Sequence, residues 1–213
     1  MNSAIEDQRP SFSDYYGRPK YQSLFRWIDR RKIHVIQREL TNLASEATIV
    51  DLGCGPGSIL AKTRRDNDFP VAADHDPTLL ANARLAGSTP LMLDLDADLP
   101  LASASIDVVL CTDVIEHIVE PGKVLAEISR VMRPGATVII FTPPYDSVRW
   151  NLAEWLHRSI TRRPADHISP FTGESLTWWM GRFFVDCRLG RVNANLSMYA
   201  IARKPVDSRP QRE

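Results

Sequence analysis

Short apolar runs rich in β-branched residues alternate with segments of helix-forming composition through the middle of the chain. Runs of this kind, each closed by a glycine-rich or acidic turn, predict strands joined by helices. The predicted strands are residues 48–51, 70–74, 90–94, 106–111 and 136–142. Continuous apolar runs such as Val108-Val109-Leu110 indicate burial on both faces. The pattern therefore predicts a parallel sheet covered by helices.

Helical periodicity is found on both sides of this core. A helix is predicted before it over residues 21–43, and another after it near residues 172–181, followed by two strands ending at Arg203. Since no repeat or linker separates two cores, the 213 residues are assigned to one domain. Its predicted parts are an N-terminal helical segment (1–46), a core (47–142), an insertion (143–171), a C-terminal helix with strands (172–203) and a tail (204–213).

Charge and composition argue against several classes of protein. The 26 basic and 26 acidic side chains balance, so no global positive field would attract nucleic acid. Cys54, Cys111 and Cys187 are too widely spaced for a metal or redox motif and are expected to be reduced. The first residues lack the apolar stretch of a secretory signal, and no run approaches a membrane span. A cytoplasmic location is therefore expected.

The run VDLGCGPG at residues 50–57 is the strongest candidate for chemistry, because a buried strand ends there and a helix begins. Glycines at such a turn let the backbone approach a ligand closely. The three glycines are Gly53, Gly55 and Gly57. The dinucleotide fingerprint is incomplete at Ser58, and a pyrophosphate would be repelled by Asp51. A nicotinamide-dependent oxidoreductase is therefore disfavoured.

S-Adenosylmethionine offers charges that complement this loop, with an ammonium group for Asp51 and a carboxylate for the amides of a helix N-terminus. The order acidic-x-Gly-x-Gly-x-Gly resembles the first motif of the class I S-adenosylmethionine-dependent methyltransferases, and the likeness extends over about residues 49–141. Small-molecule O-methyltransferases of the ubiquinone type are similar in particular. The resemblance implies a Rossmann-like, doubly wound, mostly parallel sheet of seven strands with helices on both faces.

The resemblance also implies which residues bind the cofactor, whose product form is S-adenosylhomocysteine. They are Asp51, Gly53, Cys54, Gly55, Gly57, Asp74, His75, Asp94, Leu95 and Thr112. Asp74 follows Gly53 by 21 residues, near the interval expected for a carboxylate that binds the ribose hydroxyls. Asp76 is a rival, but it precedes Pro77 and suits the cap of the next helix.

Two further positions correspond to residues that contact adenine in the family. His75 corresponds to a residue beside the ring, although a solvent-facing turn histidine is the alternative. Asp94 corresponds to the acceptor of the adenine amino group, and the run DLDADLP leaves Asp96 as a second choice.

The loop after the fourth predicted strand is where the family brings the methyl group to its acceptor. Transfer from a sulfonium needs mainly alignment, but an oxygen acceptor benefits from a base. His117 and His167 are the candidates, because histidine titrates near neutrality, and Glu116 stands beside the first of them. An ordinary structural or surface histidine is the alternative in each case.

Asp113, Glu116 and His117 also resemble the acidic-x-x-Glu-His metal site of some O-methyltransferases that act on ubiquinone precursors or on RNA 3′ ends. A divalent ion would acidify a hydroxyl group there, and His167 could supply a further ligand. Metal-free relatives also carry the Glu-His pair, so a metal is not favoured. The preferred interpretation has Asp113 capping the next helix, with Glu116 at its third position.

Residues 147–163 place apolar side chains on one helical face, with arginines nearby. A lid over the substrate and a contact with a membrane surface are both compatible with that pattern, but an ordinary packed helix is preferred. The predicted function is transfer of a methyl group to a small-molecule acceptor, with oxygen preferred. The alternatives are a cofactor-binding protein without turnover and a methyltransferase acting on a lipid-like acceptor or on RNA, for which the basic cluster is short.

Overall fold

The computed structural model describes residues 19–43, 46–161 and 167–206. The helices are α1 (Pro19–Thr41), α2 (Ser58–Thr63), α3 (Pro77–Leu85), α4 (Pro121–Val131), α5 (Val148–Thr161) and α6 (Gly173–Gly181). The strands are β1 (Thr48–Leu52), β2 (Phe69–Asp74), β3 (Thr89–Met92), β4 (Ile106–Thr112), β5 (Met132–Thr142), β6 (Val185–Val192) and β7 (Ser197–Arg203). Two 3₁₀ turns, Ile115–His117 and Asn193–Asn195, complete the description.

The seven strands form one sheet in the order β3-β2-β1-β4-β5-β7-β6. The first five strands along the chain pair in parallel, whereas β7 runs antiparallel to both of its neighbours. The strand order reverses between β1 and β4, and ligands of doubly wound sheets bind at the carboxyl ends of the strands at such a point. The predicted seven-stranded, mostly parallel sheet is confirmed.

Each face of the sheet carries its own buried cluster of apolar side chains. On one face, Val109 packs in a cluster with α4 and α6 residues, such as Leu125 and Met180. On the other face, Val108 and Leu110 pack in a cluster that includes α1 and α3 residues. The inner strands are thus buried on both sides, as their continuous apolar runs predicted.

The strand boundaries differ from the predicted ones by more than one residue in β3 and β5. β3 ends at Met92, so Asp94 lies in the loop beyond the strand. β5 begins at Met132, because this residue pairs with Ile106 before the register shifts further along β4. The predicted N-terminal segment and tail lie partly outside the described residues. Among the described helices, none combines the length and apolar character that a membrane crossing requires.

Candidate active site

The loop between β1 and α2 depends on glycine for its backbone shape. Gly53, Gly55 and Gly57 have φ values of 67°, 53° and 74°, in the left-handed region that glycine adopts without steric cost. A Cβ atom on Gly53 would lie 2.3 Å from Val114 Cγ2, and one on Gly57 would lie 2.8 Å from Ala83 Cβ. The loop can therefore pass close to a ligand only with glycine at these positions.

Two buried carboxyl groups lie at the carboxyl ends of β1 and β2, behind this loop. Asp74 Oδ2 accepts a hydrogen bond from the Gly55 amide at 2.9 Å, and Asp74 Oδ1 accepts one from the Asp76 amide at 3.0 Å. Within the described ranges, Asp51 Oδ1 is buried without a hydrogen-bond partner. Burial, and then the charge of Asp74, raise the pKa of Asp51 from 3.8 to about 7. A buried, unsatisfied carboxyl oxygen indicates a site for a donor that comes with a ligand.

The two acidic residues at the end of β2 have different partners, and the role of Asp74 in binding ribose stays a prediction. Asp76 is the N-cap of α3, where its Oδ1 accepts from the amides of Thr78 and Leu79 at 2.7 and 3.4 Å. The predicted cap, with Pro77 in the first turn, is confirmed. Asp74 is the acid that contacts the glycine loop.

The remaining predicted cofactor residues lie at the same edge of the sheet. His75 is exposed, with its Nδ1 3.4 Å from Asp74 Oδ1. Asp94 is also exposed and accepts from the Asp96 amide at 2.9 Å, and Leu95 packs against the core. Thr112 ends β4, and its buried Oγ1 has no hydrogen-bond partner in the described part of the chain.

Cys54 lies between the first two glycines of the loop and is buried. Its backbone amide donates to the Ala73 carbonyl at 3.0 Å, which ties the loop to β2. Burial raises the pKa of the Cys54 thiol above its usual range, and the nearby acids Asp51 and Asp74 add to that effect. Because a nucleophilic cysteine must be a thiolate, the neutral thiol indicates that Cys54 has a structural role in the loop.

Three residues proposed to act on the acceptor meet beyond the end of β4. Glu116 and His117 belong to the 3₁₀ turn, and the amides of Ile168 and Ser169 donate to the Glu116 carbonyl at 2.8 and 2.9 Å. These bonds bring His167 to His117, with ring centroids 4.8 Å apart and the rings edge to face. One ligand-type atom from each of Glu116, His117 and His167 lies within 4.8 Å of the other two.

The Glu116 side chain is fully buried beneath the two histidines. Its Oε2 accepts from Thr142 Oγ1 at 2.9 Å, whereas Oε1 has no hydrogen-bond partner among the described residues. Burial, and then the charge of Asp113, raise the pKa of Glu116 to about 8. Two histidines and a carboxyl group are also a donor set that can hold a divalent ion.

The preferred interpretation of Asp113 as a helix cap is wrong. The 3₁₀ turn has Val114 at its N-cap position and no side-chain cap. Asp113 instead has a φ of 54°, and its carboxylate forms an ion pair with Lys32 of α1. Asp113 also lies outside the group of potential metal ligands formed by Glu116, His117 and His167. The sequence pattern contained no signal for this pair, because its members are 81 residues apart.

Two aromatic residues missed in the sequence surround His167. The Tyr145 hydroxyl and His167 Nδ1 are hydrogen bonded at 2.6 Å. The Trp150 ring stacks on the His167 ring, with centroids 6.0 Å apart and an interplanar angle of 24°. Tyr145 follows β5 and Trp150 lies in the first turn of α5, so the chain after β5 forms one wall of the space around His167. The aromatic content of the chain after β5 was the sequence signal that could have identified these two residues.

The expectation that α5 packs as an ordinary helix is wrong for its described apolar side chains. Val148, Leu152, Trp155 and Leu156 are 82%, 61%, 63% and 51% exposed. They follow a helical spacing and form one face, which we call the α5 apolar face. The Ile160 side chain, also expected on that face, lies outside the described residues.

The strand order and the glycine loop with its paired acids are those of a Rossmann-like domain. Residues 50–140 match the family model described as a methyltransferase domain. Over those residues the chain is similar to the class I S-adenosylmethionine-dependent methyltransferases.

Particular relatives agree with that family. A probable S-adenosylmethionine-dependent methyltransferase of Mycobacterium tuberculosis is 29% identical over 117 residues, covering 53% of this chain and 42% of the relative. A ubiquinone biosynthesis O-methyltransferase of Methylococcus capsulatus is 30% identical over 149 residues, covering 65% and 62%. The chain spans less than half the length of the first curated relatives that it matches.

A solved structure from Thermotoga maritima, described as a possible histamine N-methyltransferase, shares the fold. Its TM-score is 0.68 at 17% sequence identity, and the match covers 86% of this chain and 95% of that one. Because the named relatives include both an O- and a possible N-methyltransferase, the likeness extends to the fold and the cofactor class and not to the acceptor.

Proposed function

We propose that this protein transfers the methyl group of S-adenosylmethionine to a hydroxyl oxygen of a small-molecule acceptor. The observation that carries the proposal is the group formed by Glu116, His117 and His167, which follows directly after β4. Val114, immediately before this turn, fills the space beside Gly53 of the cofactor loop. The histidines therefore lie next to the place where the loop would hold the cofactor, as a base for an acceptor must.

The described side chains divide the work between binding and proton transfer. S-Adenosylmethionine supplies an activated methyl group, so the protein must mainly align the acceptor and exclude water. Asp51 accepts the ammonium group, and Asp74 accepts the ribose hydroxyls. His117 takes the hydroxyl proton as the acceptor oxygen bonds to the methyl carbon, while the carbon–sulfur bond breaks with its electron pair passing to sulfur. S-Adenosylhomocysteine is the product.

Glu116 and His167 support His117 in this scheme. Burial raises the pKa of Glu116 and favours its neutral form, so the role of base is assigned to His117. His167 is fixed by Tyr145 and Trp150, so its ring defines one side of the space next to His117. A flat phenolic or catecholic acceptor fits an aromatic wall of this kind.

The test is a screen for S-adenosylhomocysteine formation with phenols and catechols, and with amines and thiols of similar size as comparators. Acceptor-dependent product with the hydroxyl compounds, reduced strongly in His117→Gln, supports the proposal. Turnover confined to amines or thiols contradicts the oxygen assignment. Binding of S-adenosylhomocysteine without turnover on any acceptor supports the alternative of a cofactor-binding protein.

Metal dependence is tested in the same assay. Direct base catalysis by His117 predicts that EDTA treatment leaves turnover unchanged. Loss of turnover that is restored by a divalent ion supports instead the role of Glu116, His117 and His167 as ligands that hold the ion near the acceptor hydroxyl.

A lipid-like acceptor is the second candidate, and the α5 apolar face favours it. Four large apolar side chains stay exposed there, on the helix that begins beside Tyr145 and Trp150. The exposed Arg149 adds a positive charge, which suits an anionic membrane surface. Flotation with vesicles of phosphatidylglycerol and phosphatidylcholine tests it. Binding that is lost in Leu152→Ser/Trp155→Ser but retained in Leu85→Ser, a side chain 87% exposed on α3, supports this candidate.

A further inference from the structure

Lys32 is a buried cation that the proposed mechanism does not use. Its side chain is 2% exposed, and it is the one Lys or Arg among the buried charged side chains whose burial the structure describes. The ammonium group forms an ion pair with Asp113 and lies 5.9 Å from the centroid of the Phe141 ring. A lysine in this position has given up its hydration, so its burial needs an explanation.

Stability does not provide that explanation. Burying the Lys32 ammonium removes its hydration, and an ion pair with a partner that is itself 43% exposed returns little of that cost, because water screens it. A buried cation whose ion pair only partly compensates for lost hydration suggests a functional role.

The surroundings of Lys32 place it beside the cofactor loop. Its partner Asp113 is followed by Val114, whose Cγ2 would lie 2.3 Å from a Cβ on Gly53. The Asp113 amide donates to the Phe141 carbonyl at 2.9 Å, which holds this residue at the carboxyl ends of β4 and β5. α1, which carries Lys32, also contacts α2 directly after the loop, where Gln37 Nε2 donates to the Lys62 carbonyl at 2.9 Å.

The charges at this edge leave one group of the cofactor without a counterpart. The amino-acid end of S-adenosylmethionine carries an ammonium and a carboxylate, and the acidic groups Asp51, Asp74 and Asp113 lie nearby, with Asp29 close to Lys32 and Asp113. A carboxylate placed among them would be repelled, and backbone amides of the loop supply only partial charges. Lys32 supplies a buried full positive charge at this edge that can balance it.

We propose that Lys32 binds the carboxylate of the cofactor. While the site is empty, Asp113 holds the Lys32 ammonium group in place. On binding, the cofactor carboxylate joins or replaces Asp113 beside Lys32 Nζ. The exposed side of the Asp113 carboxylate gives the ligand its approach, since this side chain is 43% exposed. This assignment rests on the proposed function, because it presumes that the cofactor is S-adenosylmethionine.

The test compares ligands that differ only at the amino-acid end, measured by calorimetric titration. 5′-Methylthioadenosine shares the adenosine and the sulfur with S-adenosylhomocysteine but lacks the amino acid. Lys32→Met should weaken S-adenosylhomocysteine binding about 10- to 100-fold, as expected for loss of a hydrogen bond between charged groups, and change 5′-methylthioadenosine binding less than about twofold. Lys62→Met, an exposed lysine of α2, is the matched control and should change neither.

A comparison of two ligands on the wild-type protein gives a result that does not depend on whether the variant folds. In the wild-type protein, decarboxylated S-adenosylmethionine should bind more weakly than S-adenosylmethionine by the same factor, and that difference should vanish in Lys32→Met. Asp113→Asn should retain or increase the affinity for S-adenosylhomocysteine, because the competitor for Lys32 loses its charge.

The outcomes separate this assignment from the proposed function. Equal weakening of S-adenosylhomocysteine and 5′-methylthioadenosine, or no weakening of either, overturns the role of Lys32 while leaving the cofactor intact. A wild-type protein that binds none of these adenosyl ligands would instead contradict the proposed function itself.

Discussion

Protonation of Asp51 should couple cofactor binding to pH. Its pKa in the free protein is raised from 3.8 to about 7, first by burial and then by the charge of Asp74. An ammonium group against the carboxylate favours the ionised form, so binding should release a proton wherever Asp51 is protonated in the free protein. Affinity should therefore rise as the pH increases through 7 and level off above it.

The size of the effect follows from the pKa. If only the ionised form of Asp51 binds, the apparent dissociation constant is multiplied by one plus the ratio of protonated to ionised Asp51. With a pKa of about 7, that factor is about 11 at pH 6 and about 1.3 at pH 7.5, so affinity should rise roughly eightfold between them. Asp51→Asn removes the titrating group and should flatten this dependence, with weaker binding at pH 7.5.

The assay is calorimetric titration with S-adenosylhomocysteine between pH 6 and 7.5, in buffers of different ionisation enthalpy so that proton release is counted directly. His75→Gln is the control, because this exposed histidine lies 3.4 Å from Asp74 Oδ1 and is the nearest alternative source of a pH effect. An unchanged slope in Asp51→Asn, or a flat wild-type profile, would refute the reasoning. If the pH dependence of affinity vanishes in His75→Gln, its source is the histidine and not Asp51.

Three further substitutions test separate parts of the site. Asp74→Ala should weaken S-adenosylhomocysteine binding at least tenfold, whereas Asp76→Ala should leave affinity unchanged and lower the free energy of unfolding by about 1 kcal/mol through loss of the α3 cap. His117→Ala should keep that affinity within about twofold and slow methylation of an oxygen acceptor about 10²- to 10⁴-fold; a large loss of affinity would contradict its role as a base. Gly53→Ala should abolish cofactor binding, because its Cβ would lie 2.3 Å from Val114 Cγ2, and normal affinity in this variant would show that the loop relaxes.

The sheet and the cofactor loop could be predicted from the sequence because their determinants are local. A buried parallel strand shows itself as a continuous apolar run, and Val108 to Leu110 are buried on both faces as that rule requires. The glycines of the loop mark left-handed backbone, and Asp76 before Pro77 marks a cap. Each of these features depends on residues within a few positions of one another.

The acceptor side could be predicted only in part, because its contacts join distant segments. Local rules assigned Asp113 to a cap, but Lys32, 81 residues earlier, takes the carboxylate in an ion pair. Similarly, the hydrogen bond between Tyr145 and His167 connects residues on either side of α5. No periodicity or spacing encodes such pairs, so they emerge only from the packing of α1 and α5 around the sheet.

The contrast between local determinants and contacts of distant segments also decides which properties can be inferred from relatives. The family match covers residues 50–140, which contain the glycine loop, Asp74 and His117. Tyr145, Trp150 and His167 lie beyond it, on the chain that follows β5. The residues expected to bind the cofactor therefore lie within the matched core, whereas the aromatic residues of the proposed acceptor site lie outside it. If the proposed function holds, a change in the chain after β5 would alter the wall around His117 without altering the cofactor loop, so the acceptor cannot be inferred from relatives through the core alone.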